Sequence, residues 1–468
     1  MSGQTQIMSA EVLAAARARS TTAAAATAAL RYFVLYGLGA VLVYGVITFG
    51  AVDPWSLFGL QAMAAGLLAL WAVQQLAAGA DLVLSPLYAP VALFAAITGA
   101  QLVLHRTAYA YMTRTASLTY LAYAMILLVA VQMLRTQEDV KRLMGFLTVS
   151  GFLVAIFAVI QDLTSKGEIY WMVPVLGSSF IFGPYVNHNH YAGIMEMLAP
   201  FPLVLSMMEE LTPPKRVLLA FAGVFMAGTI FLSLSRGGMT AFGFEMVFLA
   251  VVLWWKNASR RSAAIFAMAC LLILMFLLWL GGKNLVERFV SFKTDDASYH
   301  ARIQVARDSI PMIKARPLTG WGLGTFPTVY PRYRTFYAEV YFNAAHNDYV
   351  QVLAETGVLG FAAVLGFLGL VYVRGFRKLR APGLDLTQAA TLAALLGVTG
   401  ILVHSFVDFN LQIPANAATF CVIAAIATAS FPSTPPRRRR SGASATTAGA
   451  PACLLLAWWG PRRSSAIR

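Results

Sequence analysis

Long apolar runs, each broken after about 20 positions by a short polar or basic stretch, recur along the chain from Leu30 to Phe431. About 20 helical residues cross a hydrocarbon layer about 30 Å thick. A window of about 19 residues then predicts spans beginning near Leu30, Ser56, Pro86, Ser117, Leu143, His190, Val217, Met239, Ala263, Tyr349, Gln388 and Pro414. The expected fold is therefore all-α: a polytopic membrane protein of about twelve transmembrane helices. One polar interruption is much longer than the others and divides the chain. Residues 1–29 precede the first span, 30–281 hold the first nine or so helices, 282–348 form a large, partly helical loop, 349–431 hold the last three or so, and 432–468 form a basic tail expected to be disordered.

Short basic loops mark the cytoplasmic side of a membrane protein. Alternate connections carry Arg135, Lys141 and Arg142; Lys215 and Arg216; Lys256, Arg260 and Arg261; Arg374, Arg377, Lys378 and Arg380; and Arg437 to Arg440. An even number of spans places both termini with them, in the cytoplasm. The other side receives Asp53, residues 164–186, the Ser235-Arg236-Gly237 turn, the large loop, and Val407-Asp408-Phe409-Asn410. The unusual polar motifs thus face outward. The loop between the spans near Ser56 and Pro86 has no Lys or Arg, so the rule says least about the first third of the chain.

Composition agrees with a membrane fold, being 59% hydrophobic and only 12% charged. The net charge of +15 sits in scattered clusters between apolar runs, so nucleic acid is not an expected partner. Cys270 and Cys421 fall inside apolar runs and Cys453 in the tail, with no metal-ligand spacing; neither a metal nor a cofactor is expected. The first 29 residues lack a signal-peptide core, so the first apolar run is expected to stay as a span. The large loop contains Lys283, Arg288, Lys293, Arg302, Arg307, Lys314, Arg316, Arg332 and Arg334. Long loops translocate regardless of charge, so topology does not account for this excess, and an anionic ligand does.

Candidate chemistry concentrates in this outward set. Arg236, in Leu234-Ser235-Arg236-Gly237-Gly238, either snorkels to water or, flanked by glycines that admit a ligand to the backbone, forms a fork for a diphosphate. Arg302 sits in a stretch of helical periodicity, and Lys314 and Arg316 follow as further candidate anion ligands. Pro317-Leu318-Thr319-Gly320-Trp321-Gly322-Leu323-Gly324-Thr325-Phe326 reads as a tight turn with aromatic edges for a sugar or lipid. It is not a dinucleotide fingerprint, because no strand precedes it. His346 is the candidate base. Asn347 and Asp348 adjoin it and Glu355 lies about two helical turns on, so a carboxylate can orient the imidazole to take a proton from a hydroxyl. Asn187-His188-Asn189-His190 suggests a helix cap rather than a metal site, and His404 and Asp408 stand at the outer end of a span, where they can brace the site.

Taken in order, Leu234 to Gly238, Arg302 with Pro317 to Phe326, and Ala345-His346-Asn347-Asp348-Tyr349 through Gly360 resemble the O-antigen ligase family of bacterial envelope proteins. The resemblance covers roughly 180–420. It implies a GT-C-like, metal-independent, inverting glycosyltransferase of the bacterial inner membrane, working on the periplasmic face with a glycan donor on undecaprenyl diphosphate. The acceptor it implies is lipid A core or another glycan. Arg236 and Arg302 map onto the diphosphate-holding arginines, and His346 onto the residue that engages the acceptor hydroxyl. Asn187 and Asn189 fall in the family's Asn-rich outer motif, from which His188 and His190 depart. O-antigen or exopolysaccharide polymerase and protein O-oligosaccharyltransferase are alternatives within the family. A lipid-linked glycan flippase is an alternative outside it, although a flippase more often places charges at the midplane than crowded on one side.

Overall fold

The computed structural model describes residues 2–175, 180–279, 297–337 and 341–430. Lys283, Arg288 and Lys293 and the tail 432–468 lie outside the described residues. The described chain is helical, with one two-stranded antiparallel pair, Glu168–Ile169 with Val173–Pro174. Among the described residues eight helices are long and apolar enough to cross a membrane: Ala25–Ile47, Pro54–Ala78, Ala110–Met133, Gln137–Thr164, Pro213–Leu232, Arg236–Trp255, Asp348–Leu379 and Leu386–His404.

That is fewer than the expected twelve, for local reasons. The segments expected from Pro86 and Pro414 form the shorter helices Tyr88–Val103 and Pro414–Thr428. The segment expected from His190 is divided into His188–Leu198 and Pro200–Ser206. Pro200 and Pro202 lack the amide protons that would continue one ladder through the junction. The segment expected from Ala263 is the helix Arg260–Trp279.

Helix starts are set by side chains that accept otherwise unsatisfied amides. Thr136 and Asp139 form a reciprocal capping box, and Asp139 also pairs with Arg31 at 2.6 Å, tying the first span to the Gln137 helix. Ser235 Oγ accepts Gly238 N at 3.1 Å, Asn187 Oδ1 accepts Asn189 N at 2.9 Å, and Asn347 Oδ1 accepts Val350 N at 3.0 Å. These three caps begin the helices that carry the polar motifs.

The Leu386–His404 helix occupies the centre, with 72% of its apolar window buried, against 22% for the peripheral Pro54–Ala78. It packs on Arg236–Trp255, Pro200–Ser206, Pro414–Thr428 and His188–Leu198. Helix ends remote from the polar motifs hold basic residues; Lys256 Nζ donates to Leu379 O and Ala381 O, both at 2.7 Å.

Over the other end lies a cap formed by the helix Ala297–Ala315, the short helix Phe326–Val329 and the coil leading to Asn347. Val305, Met312, Trp321, Phe326, Tyr330 and Phe342 form its apolar centre, which extends to Ala354 of the Asp348–Leu379 helix. Asp308 is buried beside it and accepts Thr335 N at 2.9 Å, Thr335 Oγ1 at 2.8 Å and Gln304 Nε2 at 2.8 Å. The Asp348–Leu379 helix breaks at Gly357, whose φ of 65° and ψ of −171° lie outside helical space. Glycine adopts this conformation without the clash a Cβ would bring. The freed ladder is taken up by the cap: Val358 N donates to Pro317 O at 2.8 Å and Leu359 N to Leu318 O at 3.2 Å.

Candidate active site

A cavity of about 660 Å³ opens where the cap meets the helix ends, and Arg236, Arg302, His346, His404, Asp408 and Asn189 all line it. Five separate stretches of sequence supply these side chains. Arg236 is the first residue of its helix, half-buried, two positions after Leu234, which takes a positive φ of 57°. Arg302 projects from the Ala297–Ala315 helix and donates from Nη1 to Val407 O at 3.0 Å. His346 itself has a φ of 50°, an uncommon conformation for a residue with a Cβ, and its ring packs edge-on to Phe409 with centroids 4.8 Å apart.

Asp408 is the hub of this group. Its side chain is fully buried, and Oδ2 accepts Asn189 Nδ2 at 2.8 Å and faces Arg302 Nη1 at 3.5 Å. Oδ1 accepts Phe409 N at 2.9 Å and faces His346 Nδ1 at 3.6 Å and His190 Nε2 at 3.9 Å. Burial pushes this carboxyl up, but the His346 ring, the Arg302 guanidinium and the His190 ring outweigh it and hold Asp408 well below the usual carboxylate range. It is therefore an anion, flanked by one guanidinium and two imidazoles. With Nδ1 of His346 toward a carboxylate, the other ring nitrogen, Nε2, is left for a ligand in the cavity.

Other sequence candidates fall elsewhere. The carboxylate facing His346 is Asp408, not its neighbour Asp348 or Glu355. Asp348 Oδ2 accepts Ser405 Oγ at 2.8 Å and Leu411 N at 3.1 Å, while Oδ1 accepts Gln412 Nε2 at 3.3 Å, so it ties the Asp348 helix to the 405–412 turn. Glu355 accepts Gly324 N at 2.8 Å and Phe326 N at 3.1 Å. The glycine-rich run is correspondingly a docking turn for the kinked helix, where Gly322 N donates to Glu355 O at 2.9 Å and Trp321 Nε1 to Met312 O at 2.8 Å. A side chain at Gly320 would fall on the Glu355 backbone. Lys314 is exposed outside the cavity wall, and Arg316 stacks over Trp321 at 4.2 Å while donating to Arg106 O at 2.9 Å. Neither joins Arg236 and Arg302. Asn187 and Asn347 are helix caps, Asn347 Nδ2 also donating to Phe406 O at 2.9 Å. His188 Nδ1 donates to Ser233 O at 2.7 Å.

Two acidic residues escaped the sequence reading. Glu196 is fully buried and lies 2.8 Å from His404 Nδ1; Glu245 is also fully buried. Each is a lone carboxylate within an apolar run, and that alone is the signal, because an ionisable group in hydrocarbon needs a partner or a function.

The sequence profile of a family described as O-antigen ligase matches residues 221–365. The matched stretch contains Arg236, Arg302 and His346 and ends before His404 and Asp408. It supports assignment of the chain to that family, in agreement with the motif resemblance. No curated protein matches the sequence.

Proposed function

We propose that this O-antigen ligase family protein transfers a glycan from undecaprenyl diphosphate to a hydroxyl of lipid A core, at the periplasmic face of the bacterial inner membrane. The observation that carries this reading is the convergence of Arg236, Arg302 and the His346–Asp408 pair on one cavity at a bundle end. In the reaction the acceptor oxygen attacks the anomeric carbon from the face opposite the diphosphate. The anomeric C–O bond breaks, its electron pair leaves on undecaprenyl diphosphate, and the anomeric configuration inverts.

Negative charge then grows on phosphate oxygens, where two guanidiniums in a water-poor cleft stabilise it without a metal. His346 Nε2 receives the hydroxyl proton, and Asp408 holds the ring by Nδ1 and stabilises the imidazolium that forms. Asn189 and Arg302 fix the carboxylate in turn, at 2.8 and 3.5 Å. Energy is already present in the donor's glycosyl–phosphate bond, so the reaction runs where nucleotides are absent.

Purified protein given lipid-linked glycan and lipid A core, with chelator and no nucleotide, is expected to yield glycosylated lipid A core and free undecaprenyl diphosphate. Growth of lipid-linked polymer without transfer to lipid A core would make the protein a polymerase. Failure of both, with donor crossing sealed vesicles, would make it a flippase. In cells, a deletion strain is expected to lose long chains from lipid A while lipid-linked polymer accumulates.

A further inference from the structure

His404 closes the inner end of the cavity at the last residue of the central Leu386–His404 helix. Its Nδ1 lies 2.8 Å from Glu196 Oε1, and both side chains are buried, at 1% and 0% exposure. A carboxylate only accepts, so the proton between them belongs to Nδ1. Glu196 comes from the apolar run Tyr191-Ala192-Gly193-Ile194-Met195-Glu196-Met197-Leu198, where a bare anion is costly unless a cation answers it. His404 is the group in contact with it, and protonation of the ring at both nitrogens balances the pair. The second proton then sits on Nε2.

Nε2 has a direction. It faces the first turn of the Arg236–Trp255 helix, where a Cβ at Gly237 would stand 2.5 Å from Nε2 and 2.6 Å from Cδ2. Gly237 lines the same cavity, next to Arg236. The glycine leaves open the approach that any larger residue would fill, so the ring edge meets the cavity beside the guanidinium and the N-terminal amides of that helix.

We propose that His404 is a third cationic donor to the anion in this cavity, presenting Nε2–H beside Arg236, and that Glu196 is its positioning residue and counter-ion. This rests on the diphosphate reading of the cavity. Glu196 does not touch the ligand; it selects the ring orientation and keeps the charge on the imidazole. The other charged and titratable groups around the pair are Asp408, Arg302, Arg236, His188 and His346 at the cavity, His190, and Glu245, which faces Glu196 from the Arg236–Trp255 helix.

The test is equilibrium binding of undecaprenyl diphosphate to the full-length protein in nanodiscs, as a function of pH. A charge-assisted hydrogen bond in a closed site corresponds to roughly a tenfold change in affinity or more. His404→Gln is expected to weaken binding by about that factor at neutral pH, with no recovery in acid. Glu196→Gln is expected to weaken it at neutral pH and to recover as the pH falls, because acid restores the imidazolium that the lost counter-ion no longer favours. A purely structural Glu196 would show no such recovery. Gly237→Ala leaves all charges in place and is expected to weaken binding by covering Nε2; it carries the test if Glu196→Gln does not fold. Wild-type affinity in His404→Gln or Gly237→Ala, with Arg302→Ala impaired, would overturn the proposal and leave the diphosphate reading standing. Wild-type affinity in Arg302→Ala and His404→Gln alike would overturn both.

Discussion

Glu355 and Asp408 are both buried carboxylates at the same end of the bundle, at 2% and 0% exposure, yet they are built for different purposes. Glu355 meets backbone amides of Gly324 and Phe326 and the Gln351 amide. Its partners are neutral, and they fasten the cap to a helix. Asp408 also takes a backbone amide and a side-chain amide, but it faces Arg302, His346 and His190 at 3.5 to 3.9 Å, distances that leave those groups partly free for something else. Burial alone does not mark a working carboxylate. What marks it is the company of ionisable side chains that also line a cavity.

The comparison can be broken most sharply by amide substitution at each position. Asp408→Asn is expected to reduce glycan transfer by on the order of 10³–10⁴-fold, since the amide can neither hold His346 in the tautomer that accepts the proton nor stabilise the imidazolium that forms. Retention of a tenth of wild-type turnover by Asp408→Asn would remove it from the machinery. Next comes His346→Ala, with an expected loss of about 10²–10⁴-fold in turnover, little change in donor affinity, and a residual rate that rises with pH. His346→Gln at wild-type turnover would mean that the ring only positions the acceptor.

Arg236→Lys keeps the charge but loses two parallel guanidinium bonds, so turnover should fall at least tenfold. If it does not, the fork assignment fails. Arg302→Ala should weaken donor binding, and Lys314 and Arg316, which stand outside the cavity, should not when mutated. Glu355→Gln should lower the melting temperature by a few degrees while turnover per folded molecule stays within a few fold. A large loss of turnover at unchanged stability would place Glu355 with Asp408 in the reaction.

The smallest effect is on acid stability. A carboxyl held below its ordinary value of about 3.9 contributes stability that is complete above that pH and lost as the pH falls toward the folded value. Between neutrality and about pH 5 wild type and Asp408→Asn should therefore show parallel stability curves. Below about pH 4 wild type should lose the advantage that the variant never had.

The apolar runs were legible because hydrocarbon imposes a length and a composition, and so was the cap in the Asn187 run, whereas Ser235 and Asn347 obey the same rule of helix starts at positions read for ligand and base chemistry. Helix lengths were less so: Pro200 and Pro202 divide a run that hydropathy reads as continuous, and the segments at Tyr88 and Pro414 fall short of a span. Within the site, Arg236, Arg302 and His346 could be chosen as unusual residues, but their partners could not. Asp408 is 62 positions from His346 in sequence, whereas Asp348 is its near neighbour, and proximity in sequence pointed to the wrong carboxylate. Glu355 was misread for a related reason: the backbone amides that it accepts, those of Gly324 and Phe326, lie about 30 residues away, and nothing local shows that they point at it.

The joint at Gly357 also separates two mechanical tasks. Thirty-two residues at 1.5 Å each would make the Asp348–Leu379 helix about 48 Å long if straight, well beyond the roughly 30 Å of hydrocarbon. Because the rod breaks at Gly357 and the break is fixed to Pro317 and Leu318, the part before 357 belongs with the cap and the part after it with the helix bundle. An inserted residue before the hinge would turn His346 by about 100° relative to the cavity. The same insertion several turns after it would leave His346 aimed as it is and instead turn the stretch that packs on Leu386–His404 and Pro414–Thr428. The aim of His346 is thus set by the short stretch above the joint, and the packing within the bundle by the long stretch below it.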